Sequence, residues 1–300
     1  MTLIECIPNF SEGRRPEVIE QLADAVRSVD GVSLLDVQSD PTHNRCVVTF
    51  VGHEGPIGEA AFRAIQKASE LIDLNEHEGA HPRFGAADVV PFVPLRSEDT
   101  PACIETAQKL AKRVAADLQI PVFLYEDAAR IPEHRNLAAF RGKGFEEMRE
   151  VIGGEPLRTP DEGESRVHAT AGAVAIGARF PLIAFNVNLD SDDLDLAKRI
   201  AVEIRERDGG MKCVKAMGLL LEDGAVQVSM NLTDYRVTSM SDVVAAIAER
   251  AGSAGVPIRE SEVVGLLPQD ALVRLAQSAL YATGFGRDQV LEAQVLDTLL

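Results

Sequence analysis

The stretch His77–Pro94, HEGAHPRFGAADVVPFVP, passes from a polar, glycine-rich loop with two histidines and an arginine straight into an apolar, β-branched run, Val89 to Val93. A run of that kind, bounded by turn residues, reads as a buried strand. A titratable loop is thereby anchored to the core, and the other elements can be laid out on either side of it.

Upstream, residues 2 to 8 alternate as a short strand, and Asn9, Ser11 and Gly13 break it. Arg14-Arg15-Pro16 leads into a helix whose stripe Val18, Ile19, Leu22, Ala25, Val26, Val29 has helical period, and Asp30-Gly31 stops it. A strand from Val32 to Val37, a polar patch QSDPTHNR, a strand from Cys46 to Val51 and a helix from Gly55 to about Asp73 follow. Downstream of Pro94 come a helix, Glu98 to Asp117, and a strand, Pro121 to Tyr125. Between Ala128 and Gly172 the pattern weakens at Gly142, Gly144, Gly153-Gly154, Pro156 and Pro160, which predicts short helices and an extended crossing segment. The second half restates the first. It has a strand Leu182 to Leu189, a helix Asp192 to Arg207 under the acidic cluster Asp190, Asp192, Asp193, and strands Val214 to Leu221 and Val226 to Leu232 joined by the hairpin signal Glu222-Asp223-Gly224. A helix around Ser241 to Ala251, a strand near Glu262 to Leu267 and a helical pair complete it. Two β-α-β-β-α-β units predict an α+β chain of two ferredoxin-like halves, with a ligand cleft between them as the default expectation.

Two chemistries compete for the opening loop. His77, Glu78 and His81 match H-E-x-x-H, in which two histidines bind zinc from one helix face while the glutamate activates water, as in a zinc hydrolase. That geometry needs the histidines one helical turn apart, yet Gly79 lies between them and Pro82 pushes His81 out of the α region. A single positioned imidazole fits better. It titrates near neutrality, so His81 can take or give a proton in group transfer, with Arg83 nearby to hold an anion. A histidine that only satisfies a turn carbonyl is the plain alternative; the company of Arg83, Asp88 and a glycine-rich approach favours function. Asp40, His43, Asn44 and Arg45 give the QSDPTHNR patch dense hydrogen-bonding capacity, which a solvated turn would explain equally well. The tract from Pro160 to Arg179 is small, polar and glycine-punctuated, as either a ligand-contacting segment or a linker would be, and His168 and Thr170 in it can bond a heteroaromatic ring or a carboxylate.

Composition narrows the classes. The 300 residues suffice for one large domain or two ordinary ones, and a formal charge of -17 disfavours partnership with nucleic acid or an anionic membrane. An anionic small substrate stays compatible if it meets local arginines. The four cysteines, Cys6, Cys46, Cys103 and Cys213, form no C-x-x-C pair and are expected to be reduced, partly buried thiols of a cytoplasmic protein. The amino end lacks a basic start before an apolar region, and no apolar run reaches spanning length.

Five motifs taken in order carry a resemblance that periodicity cannot supply. IECIPNFSEGR from Ile4, HNRCVVTFVG from His43, AHPRFGAADVVPFVP from Ala80, VFLYEDAA from Val122 and GARFPLIAFNVNL from Gly177 resemble the formiminotransferase family across nearly the whole chain. The resemblance implies two ferredoxin-like subdomains, 1–178 and 179–300, flanking a substrate tunnel. It implies transfer of a formimino group from N-formimino-L-glutamate to tetrahydrofolate as co-substrate, with no metal, in a homodimer. The family's catalytic histidine falls on His81, and its folate-contacting segment on Gly163, Glu164, Ser165, Arg166, Val167, His168, Ala169, Thr170, Ala171 and Gly172. Asp40, His43, Asn44, Arg45 and Arg83 are the candidates for binding formiminoglutamate. The chain departs from the family at Ala80, where glutamate is frequent, at Glu78, where lysine is, at Gln38, where animal members are acidic, and in the absence of a proline after His168. The cyclodeaminase domain that animal members add is not expected in these residues, and a folate-binding module without transfer is the non-catalytic alternative.

Overall fold

The computed structural model describes residues 2–41, 43–79, 82–221 and 223–299, the last helix in backbone alone beyond Val295. The amino end forms two short strands, β1 (Leu3–Cys6) and β2 (Asn9–Phe10), rather than one. The break falls at Ile7-Pro8, where proline has no N–H to give a ladder; instead the Pro8 carbonyl accepts from Val48 and the Ile7 amide donates to Pro91. Helix α1 (Pro16–Arg27) follows, with proline in its first turn, where a missing N–H costs nothing. Strands β3 (Val32–Asp40) and β4 (Arg45–His53), helix α2 (Glu54–Leu71) and strand β5 (Ala87–Pro94) complete the predicted order. Helix α3 (Thr100–Leu118) and strand β6 (Val122–Glu126) come next.

Strand β7 (Val174–Ala178) lies inside the tract read as ligand segment or linker. It is central. It pairs in parallel with β5 on one side and β6 on the other, and every residue in it is buried. Among the described residues, seven strands share this sheet: β4 pairs with β3, β1 and β2, and β5 pairs with β1, β2 and β7. β5 is buried at all eight positions, which is why it reads as a continuous apolar run and not as an alternation.

Side chains of β5, β6 and β7 divide by parity between two cores. Val90, Phe92, Val122, Leu124, Val174 and Ile176 face the main core with α1, α2 and α3, whose buried stripes are rich in alanine (Ala60, Ala61, Ala64 and Ala68 in α2). Each fully buried large apolar side chain there is worth about 1.5–3 kcal/mol. Val89, Phe123, Tyr125, Ala173 and Ala175 face a second core closed by the weak-pattern segment, which forms helices α4 (Leu137–Arg141) and α5 (Phe145–Val151) between 3-10 turns. Phe123 and Phe140 stack there with ring centroids 5.1 Å apart, and buried His134 bonds Asp161 at 3.1 Å beside them.

The chain divides into two compact units, Met1–Phe180 and Pro181–Leu300. The second holds β8 (Ile183–Leu189), α6 (Leu194–Ile204), β9 (Val214–Leu220), β10 (Val226–Leu232), α7 (Met240–Ser253) and β11 (Ile258–Val264) as a four-stranded antiparallel sheet in the order β11-β8-β10-β9. Asp193, from the predicted acidic cluster, caps α6 by accepting from the Leu196 amide at 2.9 Å. The β9–β10 turn includes Glu222, which lies outside the described residues. β11 begins four residues before the predicted Glu262, because an edge strand exposed along almost its whole length shows no apolar alternation to read. Helices α8 (Gln269–Leu280) and α9 (Leu291–Leu299) follow. Among the described residues no helix is long and apolar enough to cross a membrane.

Candidate active site

In the first unit, three connections converge at one end of the sheet: the loop after β2, the β3–β4 turn, and the loop between α2 and β5. Asn44 ties them together. Its carboxamide oxygen accepts from the Gly13 amide at 2.9 Å, its nitrogen donates to the Glu78 carbonyl at 2.9 Å, and its own carbonyl accepts from His77 Nε2 at 2.9 Å. The residue is buried and left-handed, with φ 49°, a region that asparagine tolerates better than most side chains. At Gly79 a Cβ would lie 2.4 Å from the His43 carbonyl, so only glycine lets the loop pass this close to the turn.

The charged groups are arranged around this staple. Arg45 reaches back to Asn9 Oδ1. Burial pulls its guanidinium below the ordinary value, Asp88 opposes that, and Arg141 adds to it. Asp88 is buried at the start of β5; its Oδ1 accepts from the Phe84 amide at 2.8 Å and its Oδ2 from Arg141. Asp40 accepts from the His43 amide at 3.0 Å and also holds the His43 ring at Nδ1. Arg83 forks onto Glu146 with two bonds of 2.8 Å, donates from Nε to His77 Nδ1 at 3.2 Å, and reaches the Leu74 and His77 carbonyls. Arg83 has no lone pair to accept with, so His77 Nδ1 is the acceptor and Nε2 carries the hydrogen. Burial holds the His77 imidazole below its usual pKa, which keeps it neutral. Glu12 is buried behind the loop; burial pushes its carboxyl up, but the amides of Arg14 and Arg15 and the Arg15 guanidinium together bring it below the usual value.

Asp40, His43, Asn44, Arg45 and Arg83 therefore share one neighbourhood, and His43, Asn44, Arg45, His77, Arg83 and Asp88 line one small cavity with Phe10 and Ser11. His81, the expected catalytic residue, and Ala80 lie outside the described residues. His77 to Gly79 and Pro82 to Arg83 have no helical turn, and both ring nitrogens of His77 are occupied, which leaves it no lone pair to give a zinc ion. Among the described residues no group of three His, Cys, Asp or Glu is arranged to hold a metal.

The expected folate tract divides. His168 and Gly172 bond each other's backbone, and His168 Nδ1 accepts from the Ala171 amide at 3.0 Å, leaving Nε2 to carry the hydrogen; burial lowers its pKa too. This turn docks beside the site loop: Leu74 donates to the Thr170 carbonyl and Ala86 to that of Ala171, each at 2.9 Å, and Asn75 Nδ2 to that of Ala169 at 3.0 Å. Gly163, Glu164, Ser165 and Arg166 are exposed and lie elsewhere, Gly163 against Ala115 and Pro121 and Ser165 against Gly153. Arg141 and Glu146 carry no signal in the sequence, and Asn9 reads there only as a strand breaker. Arg141 stands in the weak-pattern segment with no motif around it, and only the glycines on either side of Lys143 signal a turn where backbones meet.

Two family models cover the chain: the N-terminal subdomain of the formiminotransferase domain matches residues 3–179, and the formiminotransferase domain matches residues 184–292. The chain is 46% identical over 298 residues to a glutamate formimidoyltransferase of Thermoplasma acidophilum, spanning 98% of each chain. Identity is also 46% to the glutamate formimidoyltransferase of Streptococcus pyogenes, over 98% of this chain and 99% of that one. A formimidoyltransferase-cyclodeaminase of Rattus norvegicus is 40% identical over 91% of this chain, which spans 52% of that protein. With both halves matched by the family's models and nearly the whole chain 46% identical to two of its members, the chain belongs to the formiminotransferase family.

Proposed function

We propose that this protein transfers the formimino group of N-formimino-L-glutamate to tetrahydrofolate, giving 5-formiminotetrahydrofolate and L-glutamate. The observation that carries this is a concentration of arginine and hydrogen-bonding side chains at the loop that precedes β5, in a chain 46% identical to glutamate formimidoyltransferases end to end. The folate N5 attacks the formimino carbon, a tetrahedral intermediate forms, and the bond from that carbon to the glutamate nitrogen breaks. His81 takes the N5 proton and returns it to the leaving nitrogen. Arg45 and Arg83 bind the carboxylates of formiminoglutamate; Arg45 is already desolvated, so an anion there meets a strong field, whereas at Arg83 it must share or displace Glu146. His43, oriented by Asp40, and Asn44 set the amidine, Asn44 through the backbone it holds.

Tetrahydrofolate lies along the His168–Gly172 end of the Gly163–Gly172 tract, with His168 Nε2 and Thr170 as its polar contacts and the Ala169–Ala171 carbonyls fixing that turn to the site loop. Each half is a ferredoxin-like subdomain, 1–178 and 179–300; the strand order β11-β8-β10-β9 and its counterpart β5-β1-β4-β3 support this. The protein works in the cytoplasm as a homodimer without nucleic-acid or membrane partners. The test is turnover of purified protein with formiminoglutamate and tetrahydrofolate, against formylglutamate as donor. Formimino transfer that is lost in a folded His81→Ala variant supports the assignment; absence of transfer by the wild type defeats the activity, and near-wild-type turnover by the variant removes His81 from it.

A further inference from the structure

Three consecutive residues after position 81 are gripped from the weak-pattern segment. Arg141, at the end of α4, donates from Nη2 to the Pro82 carbonyl and to Asp88 Oδ2. The Arg83 carbonyl accepts from the Phe145 amide at 2.8 Å. The Phe84 amide donates to the other oxygen of Asp88 at 2.8 Å. At Gly144 a Cβ would stand 2.6 Å from the Arg83 carbonyl, and φ there is 116°, so the turn linking α4 to α5 is shaped to press against this backbone.

The Arg141 and Asp88 side chains are 13% and 4% exposed. An ion pair that dry contributes little net stability, because removing both charges from water offsets their attraction. Its effect is geometric. One guanidinium fixes a carbonyl directly and, through Asp88, an amide two residues further on, so the Pro82–Arg83 and Arg83–Phe84 peptide planes are both set by a single side chain.

We propose that Arg141 is a positioning residue for the transfer reaction: acting through the Pro82 carbonyl and Asp88, it sets the backbone that follows His81 and touches neither substrate. This rests on the transfer activity proposed above. Two full-length variants, Arg141→Ala and Arg141→Lys, test it by steady-state kinetics with formiminoglutamate and tetrahydrofolate, by addition of methylguanidinium, and by amide hydrogen exchange. In Arg141→Ala, kcat falls about 100-fold, the scale of a misplacement near 1 Å, while both KM values stay within about threefold. Methylguanidinium recovers about a tenth of the lost kcat or more, which it would not do for a global packing defect. Arg141→Lys falls between, because a shorter stem and a freely rotating ammonium do not aim two hydrogens at both acceptors as the fixed, planar Nη2 does.

The Phe84 amide exchanges faster in both variants while the amides of β5 keep wild-type protection. A kcat within about threefold of wild type in both variants, or a rise in KM at unchanged kcat, overturns the proposal, the second by making Arg141 a substrate ligand. Unchanged exchange at Phe84 overturns it as well. If Arg141→Ala does not fold, Arg141→Lys decides by the same criteria. A wild type without transfer activity sinks the transfer reading alone, and the exchange data still decide whether Arg141 holds this backbone.

Discussion

His77 sits in the site as a fixed neutral ring, and its protonation has a direction that can be checked. Burial lowers its folded pKa below the ordinary 6.5, so between the two values the unfolded chain binds more protons than the folded one and stability rises with pH. The contribution is complete above about pH 6.5 and is lost as pH falls through the folded value, when a proton on Nδ1 opposes the Arg83 Nε–H that it accepts. His77→Gln keeps a donor for the Asn44 carbonyl and removes the titration. The difference between the thermal melts of the two proteins should therefore be largest near neutrality and shrink as pH falls below about 6.5; parallel pH profiles would exclude the effect. Arg83 yields a second expectation. Glu146 is two-thirds exposed and holds the guanidinium proposed above to bind a substrate carboxylate, so Glu146→Gln should lower the KM for formiminoglutamate about two- to fivefold, the worth of an exposed pair. An unchanged or higher KM would take Arg83 out of substrate binding.

At the scale of elements, β7 is the strand on which the first unit closes. A Cβ at Gly177 would lie 2.5 Å from the Tyr125 carbonyl of β6, so Gly177→Ala must push β6 away from β7 and should cost about 1–3 kcal/mol in denaturant melts. A loss below about 0.5 kcal/mol would mean that the pair is looser than it looks. The strand escaped sequence reading because its residues are small: AVAIGA, after Gly172 and with Gly177 inside it, has neither the β-branched density of β5 nor an alternation, since both faces are buried. The helices were legible, because α1 and α2 are amphipathic and their stripes keep helical period. So was the cluster at positions 40 to 45, from its density of donors and acceptors. What Asn44 does was not. Its bonds run to residues 13, 77 and 78, partners that no local pattern names, and Arg141 reaches Asp88 across 53 positions of sequence.

Over the whole molecule, the thiols report how the core is distributed. Cys46 and Cys103 are pushed up to about 12 by burial, and Cys6 is raised as well for the same reason, whereas Cys213 is half-buried on a turn. A thiolate-specific reagent should label one site per native chain and four after unfolding, counted by mass; rapid labelling of Cys46 would show that the site end of β4 opens readily. The global charge of -17 and the arginine-rich site loop act on different lengths, since repulsion of an anionic substrate is screened beyond about 10 Å in ordinary salt while a desolvated guanidinium is not. The parallel middle of the first sheet also bears on synthesis. β6 leaves the ribosome before β7, yet β7 must come to rest between β5 and β6. A nascent chain that has reached residue 126 therefore carries an orphan strand with open edges, and only some fifty residues later does the gap fill. A chaperone that shields strand edges should accordingly engage chains stalled in that interval and release those stalled beyond Ala178.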